Sequence, residues 1–125
     1  MDGIRDVETW HFIRKGQMRP DIQASLMPNE QVYAVYQTVR DQAVFTNMRL
    51  IVRDAQGVTG QKVEAFSIPW KSVQMWSTEN SGKIIDVDSE LELWTLIGRF
   101  KINLKRGLDI RQVDQMVASC VMAWR

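Results

Sequence analysis

From Val44 to Trp70 the chain reads "VFTNMRLIVRDAQGVTGQKVEAFSIPW", and this stretch decides the fold. Val44, Phe45 and Thr46 are β-branched or aromatic types that suit a pleated strand, and "RLIVRD" from Arg49 continues the pattern, with Asn47 at the step between them. "DAQGVTG", Asp54 to Gly60, supplies an aspartate and two glycines, residues that tolerate the positive φ a tight turn requires. "KVEAFSIPW" from Lys62 reads as the returning strand. Its apolar phase moves from Val63 and Ala65 to Phe66, Ile68 and Trp70, which predicts a one-residue bulge, and Pro69 suits the strand's end. No nucleophile, base or metal ligand stands out. The stretch reads as architecture.

Working outward, Val32, Ala34 and Tyr36 alternate with Gln31, Tyr33, Val35 and Gln37 as an earlier strand, and Arg40-Asp41-Gln42 is a polar break before "AVFT". Downstream, "VQMWSTE" is a further strand and "NSGK" a turn. "IIDVDSELELW" then places Ile85, Val87, Leu91 and Leu93 on one face and Asp86, Asp88, Glu90 and Glu92 on the other. "RFKINLK" turns Phe100, Ile102 and Leu104 inward. Seven strands are predicted. The closing segment from Leu108 has helical period, with Ile110, Val113, Val117, Cys120, Val121 and Trp124 on one stripe. Asp109 is its N-cap, Gln112 lies three residues on, and Leu108 is placed to staple onto Val113.

At the other end, Ile4, Val7, Trp10 and Ile13 recur every third residue before Gly16, and the spacing predicts an amphipathic helix from Ile4 to Lys15. "QMRPDIQASLMPNE" carries two prolines and reads as a tether with one short turn around Ile22 to Leu26. The expected organisation is an N-terminal helix and tether over 1–27 and one domain over 28–125.

Composition narrows the function. The chain has 125 residues, 45% hydrophobic and 25% charged, enough for a core without disulfides or metal. Sixteen Lys and Arg against fifteen Asp and Glu leave a charge of +1, without the field that steers a domain onto nucleic acid. No apolar run approaches a membrane span, and "MDGIRDVETWHF" has acids where a signal peptide starts basic, so a cytosolic location is expected and membrane attachment is not. Cys120 and His11 are each the single residue of their type, which closes disulfide, zinc and thiol–histidine arrangements, and no cofactor is expected.

The alternating carboxylates are the largest charge cluster, with like neighbours about 6.6 Å apart along one strand face. Such a ladder could hold a hard cation or greet a basic partner. With Ile97 and Gly98 as the hairpin turn, Glu92 would lie opposite Asn103 and Glu90 opposite Lys105, so cross-strand pairing accounts for the acids nearest the turn. Asp86 and Asp88 are left as a candidate partner surface. "GVTG" matches a GxxG loop and "GQK" a fragment of a phosphate loop, but both join strands and fail the context those motifs need. Trp10 and Trp124 fall on helix stripes. Trp76 and Trp94 fall on strand faces that otherwise carry Gln74, Thr78 and the carboxylates, where they either form an interface or cover a neighbouring strand.

Seven antiparallel strands closed by a C-terminal helix is the plan of a pleckstrin-homology domain. "RDQAVFTNMRLIVRDAQGVTGQKVEAFSIPW" resembles the hallmark of the bacterial pleckstrin-homology-like family through Arg40, Asp41, Val44, Phe45, Thr46, Asn47, Arg49, Leu50, Ile51, Asp54, Gln56, Gly57, Thr59, Gly60 and Lys62, followed by Ser67, Ile68 and Pro69. "DVDSELELW" resembles the family's D-x-D-x-EL stretch, through Asp86, Asp88, Glu90 and Leu91. The resemblance runs from about Leu26 to Ala118, with Trp70 standing where the family usually has tyrosine. It implies a mainly β, seven-stranded, partly open barrel capped by the C-terminal helix. It also implies a non-catalytic scaffold whose members assemble into ring-like homo-oligomers or bind another protein, with no established catalytic activity. Contact surfaces would then include Trp10, Trp76, Trp94, Asp86 and Asp88. The rival function by analogy, peripheral binding to anionic lipid head groups, needs several bases in the first hairpin; here Arg40 is countered by Asp41.

Overall fold

The computed structural model describes residues 5–12, 14–38, 40–56, 62–80, 88–105 and 109–124. Among them the chain forms β1 (Arg5–Phe12), β2 (Arg14–Lys15), α1 (Pro20–Ser25), β3 (Val32–Gln37), β4 (Gln42–Thr46), β5 (Arg49–Gln56) and β6 (Lys62–Pro69). A 3-10 turn at Trp70–Ser72 leads to β7 (Met75–Asn80), β8 (Ser89–Thr95), β9 (Gly98–Leu104) and α2 (Ile110–Met122). β3 to β9 are the seven predicted antiparallel strands. They lie in two sheets, β2-β3-β4-β5-β6 and β1-β9-β8-β7, which do not close into a full barrel.

The inner faces and α2 make the main core. Phe45 stacks on Trp70 with centroids 6.0 Å apart and meets Tyr36 edge-on at 5.7 Å. Leu50, Leu91, Leu93, Phe100, Ile102 and Leu104 fill the space beneath Val113, Val117, Cys120 and Val121 of the helix. The predicted N-cap is present, with the Asp109 carboxylate accepting from Arg111 N at 3.0 Å; Leu108 lies outside the described residues. Trp124 does not share the buried stripe. It lies past the last helical residue, 46% exposed, and its indole N–H donates to Asn47 O at 3.2 Å.

β4 is buried at every position because its other face is covered too. α1 drops Ile22 onto Val44 and Ile51, with Met18, Leu26, Val32 and Val35 around them. Six residues are too few for a helix to stand alone, so this packing holds α1 in place. Its approach is fixed by Gln42, whose buried amide accepts from Arg19 N at 2.9 Å and donates to Gln17 O at 2.5 Å. Upstream, the Gly16 N–H bonds Val35 O, and a Cβ at Gly16 would collide with the Gln37 side chain.

Four expectations are corrected. An N-terminal helix exists, but at Pro20–Ser25, where only a short turn was expected; the segment from Ile4 to Lys15 is extended instead. β1 adds in parallel to β9, with Val7 opposite Arg99, Trp10 opposite Ile102 and Phe12 opposite Leu104, and β2 adds to β3. Val7, Thr9, Trp10 and Phe12 are strand formers, and the open edge of β9 overrides the three-residue spacing. The bulge expected in β6 is absent, since β5 and β6 pair without interruption from Arg49–Pro69 to Gln56–Lys62. Within the five-stranded sheet an irregularity lies in β3 instead, where Val32 meets Thr46 and Ala34 meets Phe45, with Tyr33 between them 51% exposed. The β8–β9 register differs by two residues from the one expected, with Glu92 opposite Lys101 and Leu93 opposite Phe100, so the turn is Leu96-Ile97. Finally, Trp76 pairs with Leu93 on the inner face, not the outer one.

Candidate functional site

The hallmark residues gather at the β4–β5 corner. Thr46 ends β4, and its hydroxyl donates to Glu30 Oε2 at 2.6 Å while accepting from the amides of Met48 and Arg49, both at 3.0 Å. Arg49 lays its guanidinium along the same carboxylate, Nε to Oε2 at 2.8 Å and Nη2 to Oε1 at 2.9 Å, and also donates to Ser25 O and Ser67 Oγ. Asn47 clasps the chain opposite by accepting from Gln31 N at 2.7 Å. Thr46 O accepts the Trp70 indole N–H at 2.7 Å. Burial by itself would raise the Glu30 pKa. The hydrogen bonds from Arg49, Thr46 and the Met27 amide, with the Arg49 charge, more than reverse this and hold it at about 2. The Glu30 carboxylate, the Thr46 hydroxyl and the Arg49 guanidinium are engaged with one another, so the corner is a clamp rather than a ligand site.

The β3–β4 turn is a second clamp. Asp41 accepts from Ala55 N at 2.8 Å, Arg53 donates to Arg40 O at 2.9 Å and pairs with Asp21 at 2.9 Å. Asp54 lies on β5 directly opposite Glu64. Gly57 and Gly60 lie outside the described residues, as does Asp86.

The outer face of the four-stranded sheet carries the other predicted residues. Asp88 pairs with Lys105 at 3.3 Å, Glu90 with Lys101 at 3.7 Å and Glu92 with Arg99 at 3.5 Å. Each described acid of the ladder thus has a base beside it, and among the described residues no group of three or more acids, His or Cys is placed to hold a metal. Trp94 lies half-buried on this face, opposite Met75 of β7 and between Met75 and Arg99. Met75 is 52% exposed, on a strand at the sheet's edge. Trp76 faces the other way, and its indole N–H donates to Asp114 of α2 at 3.0 Å, tying β7 to the helix. Trp10 lies on β1 at the opposite edge. The structure therefore separates the tryptophans that the sequence grouped.

One candidate is closed by burial. Cys120 is 3% exposed, its thiol donates to Thr46 O at 3.6 Å, and burial raises its pKa, which leaves a protonated core residue. Tyr36 is likewise pushed up, first by burial and then by the charge of Asp109.

One surface was not singled out from sequence. Antiparallel succession puts the β4–β5 corner, the 3-10 turn and the β8–β9 turn at one end of the molecule, opposite the Arg40-Asp41 turn. There a groove of about 450 Å³ runs between the end of β6, the 3-10 turn and the β8–β9 tip, lined by Phe66, Ile68, Pro69, Leu96, Ile97 and Phe100, with Lys71 among its polar residues. Leu96 and Ile97 are 82% and 62% exposed. The available signal was the turn itself, Thr-Leu-Ile-Gly, where Asn-Gly or Asp-Gly would be the ordinary choice.

Residues 3–121 match the family profile described as "Bacterial PH domain". Among curated proteins, the chain is 49% identical over 69 residues to YjqA of Bacillus subtilis (strain 168), an uncharacterized protein, covering 55% of this chain and 54% of that one. The match therefore spans about half the length of that relative. YozO of the same organism is 27% identical over 96 residues, covering 77% and 82% of the two chains. Among solved structures, a DUF1696 family protein with a pleckstrin-homology domain from Shewanella loihica PV-4 superposes with a TM-score of 0.72 at 33% identity, over 86% of this chain and 97% of that one. A pleckstrin homology domain from Shewanella amazonensis SB2B gives 0.63 at 38% identity, over 81% and 82%. No helix among the described residues is long and apolar enough to cross a membrane.

Proposed function

Since the chain belongs to the bacterial PH-domain family, we propose that it is a scaffold that assembles with copies of itself into a ring-like homo-oligomer and presents the remaining surface to a protein partner. The PH-like fold is a non-catalytic, protein-interaction fold. The observation that carries the finer reading is the Met75–Trp94 pair on the outer sheet face, a thioether and an indole opposed at an edge strand. Edge strands that carry apolar residues are the usual sites of strand-to-strand association, and an aromatic with its neighbours desolvated is the usual anchor. β1, the other edge strand of the same sheet, would supply the complementary side of a head-to-tail contact, the kind that closes rings. Asp88, at the far end of the acid–base ladder, is a rim residue in this reading.

Light scattering across a size-exclusion peak, at low and high salt, is the test. A discrete multiple of 14.5 kDa that survives high salt is expected, because the contact is apolar. Trp94→Glu should reduce the mass to that of the monomer without loss of fold, because Trp94 lies outside the core. A monomer at both salts would overturn self-assembly. Anionic vesicles are expected not to sediment the protein through the first hairpin, since the Arg40-Asp41 turn has one base and one acid and the neighbouring Arg53 is engaged with Asp21.

A further inference from the structure

We propose that the groove beside the β8–β9 tip binds an amphiphilic anion, an aliphatic chain with an acidic head, with the chain along Phe66, Ile68, Ile97 and Phe100 and the head at Lys71. The site is at the opposite end of the molecule from the Arg40-Asp41 turn, and the proposal does not rest on self-assembly.

Three observations point to this class of ligand. The floor is apolar and formed by the fold itself, since Ile68 and Phe100 are 4% and 5% exposed, whereas the wall residues Leu96 and Ile97 are mostly exposed. Sites for small ligands have this character, a few hundred Å³ of mainly apolar wall with few polar groups.

Most hydroxyls of the wall are already in use. Ser67 Oγ accepts from Arg49 at 3.1 Å, and Ser72 Oγ donates to Pro69 O at 2.7 Å. Thr95 Oγ1 donates to Gly98 O at 3.0 Å and accepts from Ile97 N at 3.2 Å, and the backbone N–H of Gln74 donates to Trp94 O. Pro69 has no N–H to give. A sugar, a nucleotide or a peptide backbone would bring more donors and acceptors than Gln74 and Lys71 can pair once water is expelled, and a hydrocarbon chain brings none.

Charge decides the head group. Lys71 is exposed and has no acidic partner among the described residues. An ammonium on a flexible stem can follow a carboxylate or phosphate while its own methylenes extend the apolar wall.

The experiment is a calorimetric titration of the full chain with dodecanoate below its micelle-forming concentration, with amide NMR shifts as the map. Saturable binding is expected, with shifts centred on Phe66, Ile68, Ile97 and Phe100. The double substitution Leu96→Asn, Ile97→Asn, at exposed positions the fold tolerates, should weaken it by about tenfold or more. Lys71→Glu should weaken dodecanoate and strengthen dodecyltrimethylammonium, the same chain with a cationic head. Sedimentation with phosphatidylcholine–phosphatidylglycerol vesicles separates the two sources. Pelleting that the tip substitution abolishes assigns membrane lipid, and dodecanoate binding without pelleting assigns a free fatty acid. No saturable binding, or binding that ignores both the tip and Lys71 substitutions, overturns the proposal. So does a tip substitution that lowers the light-scattering mass while the unsubstituted chain takes up no dodecanoate, because a second copy then fills the groove.

Discussion

Glu30 keeps an ionised carboxylate with no side-chain exposure because Arg49, Thr46 and the Met27 amide all direct protons at it. The consequence has a definite sign. Its folded pKa of about 2 lies below the ordinary 4.5, so its contribution is complete above 4.5 and is lost as pH falls toward 2. The shift corresponds to roughly 3 kcal/mol when the group is ionised. Urea unfolding should therefore show the wild type losing most of that between pH 7 and pH 3, whereas Glu30→Gln, about 3 kcal/mol less stable at pH 7, should lose much less over the same range. Arg49, Thr46 and Asn47 were legible as hallmark residues. Glu30 was not, because it lies in a proline-bearing tether with no periodicity to mark it, and only the fold brings it under β4.

At the scale of elements, alternation located β3 to β9, since inner and outer residues repeat with the pleat. It could not fix the β8–β9 register, because a slip of two residues keeps every side chain on its own face; only a slip of one exchanges them. The turn decides, through the Thr95 hydroxyl that braces Ile97 and Gly98. β1 failed for another reason. Three-residue spacing over so few turns fits a helix and an irregular strand equally, and the vacant edge that resolves the matter is formed by β9, distant in sequence. α1 shows the opposite case, a six-residue helix with poor prospects alone that exists because β4 and β5 present Val44 and Ile51 to Ile22. Ile22→Ala should cost roughly 2–4 kcal/mol in urea unfolding and should raise amide exchange over α1 before it reaches β9 or α2.

Across the whole molecule, the N-terminal segment passes from one sheet to the other, with β1 at the edge of the four-stranded sheet and β2 at the edge of the five-stranded one. The remaining edges, β6 and β7, are linked through the 3-10 turn, with the apolar groove beside it. A partly open barrel built this way keeps the two proposed surfaces apart, the outer sheet face on one side and the cleft at the β8–β9 end. Trp94→Glu should therefore remove assembly and leave dodecanoate binding intact, a separation that paired light scattering and calorimetry would read directly.

The parallel pairing of β1 with β9 also sets an order of events during synthesis. Of the strands in its sheet, the one made first has as its partner the one made last, and loop closure over that separation is slow. While β9 is still being translated, β1 has no native neighbour in its own chain, whereas β3, β4 and β5 can already pair. On neighbouring ribosomes, a β9 edge completed by one chain would be open to the β1 of another. Whether β1 joins its own chain or its neighbour's then depends on how closely the nascent chains are spaced.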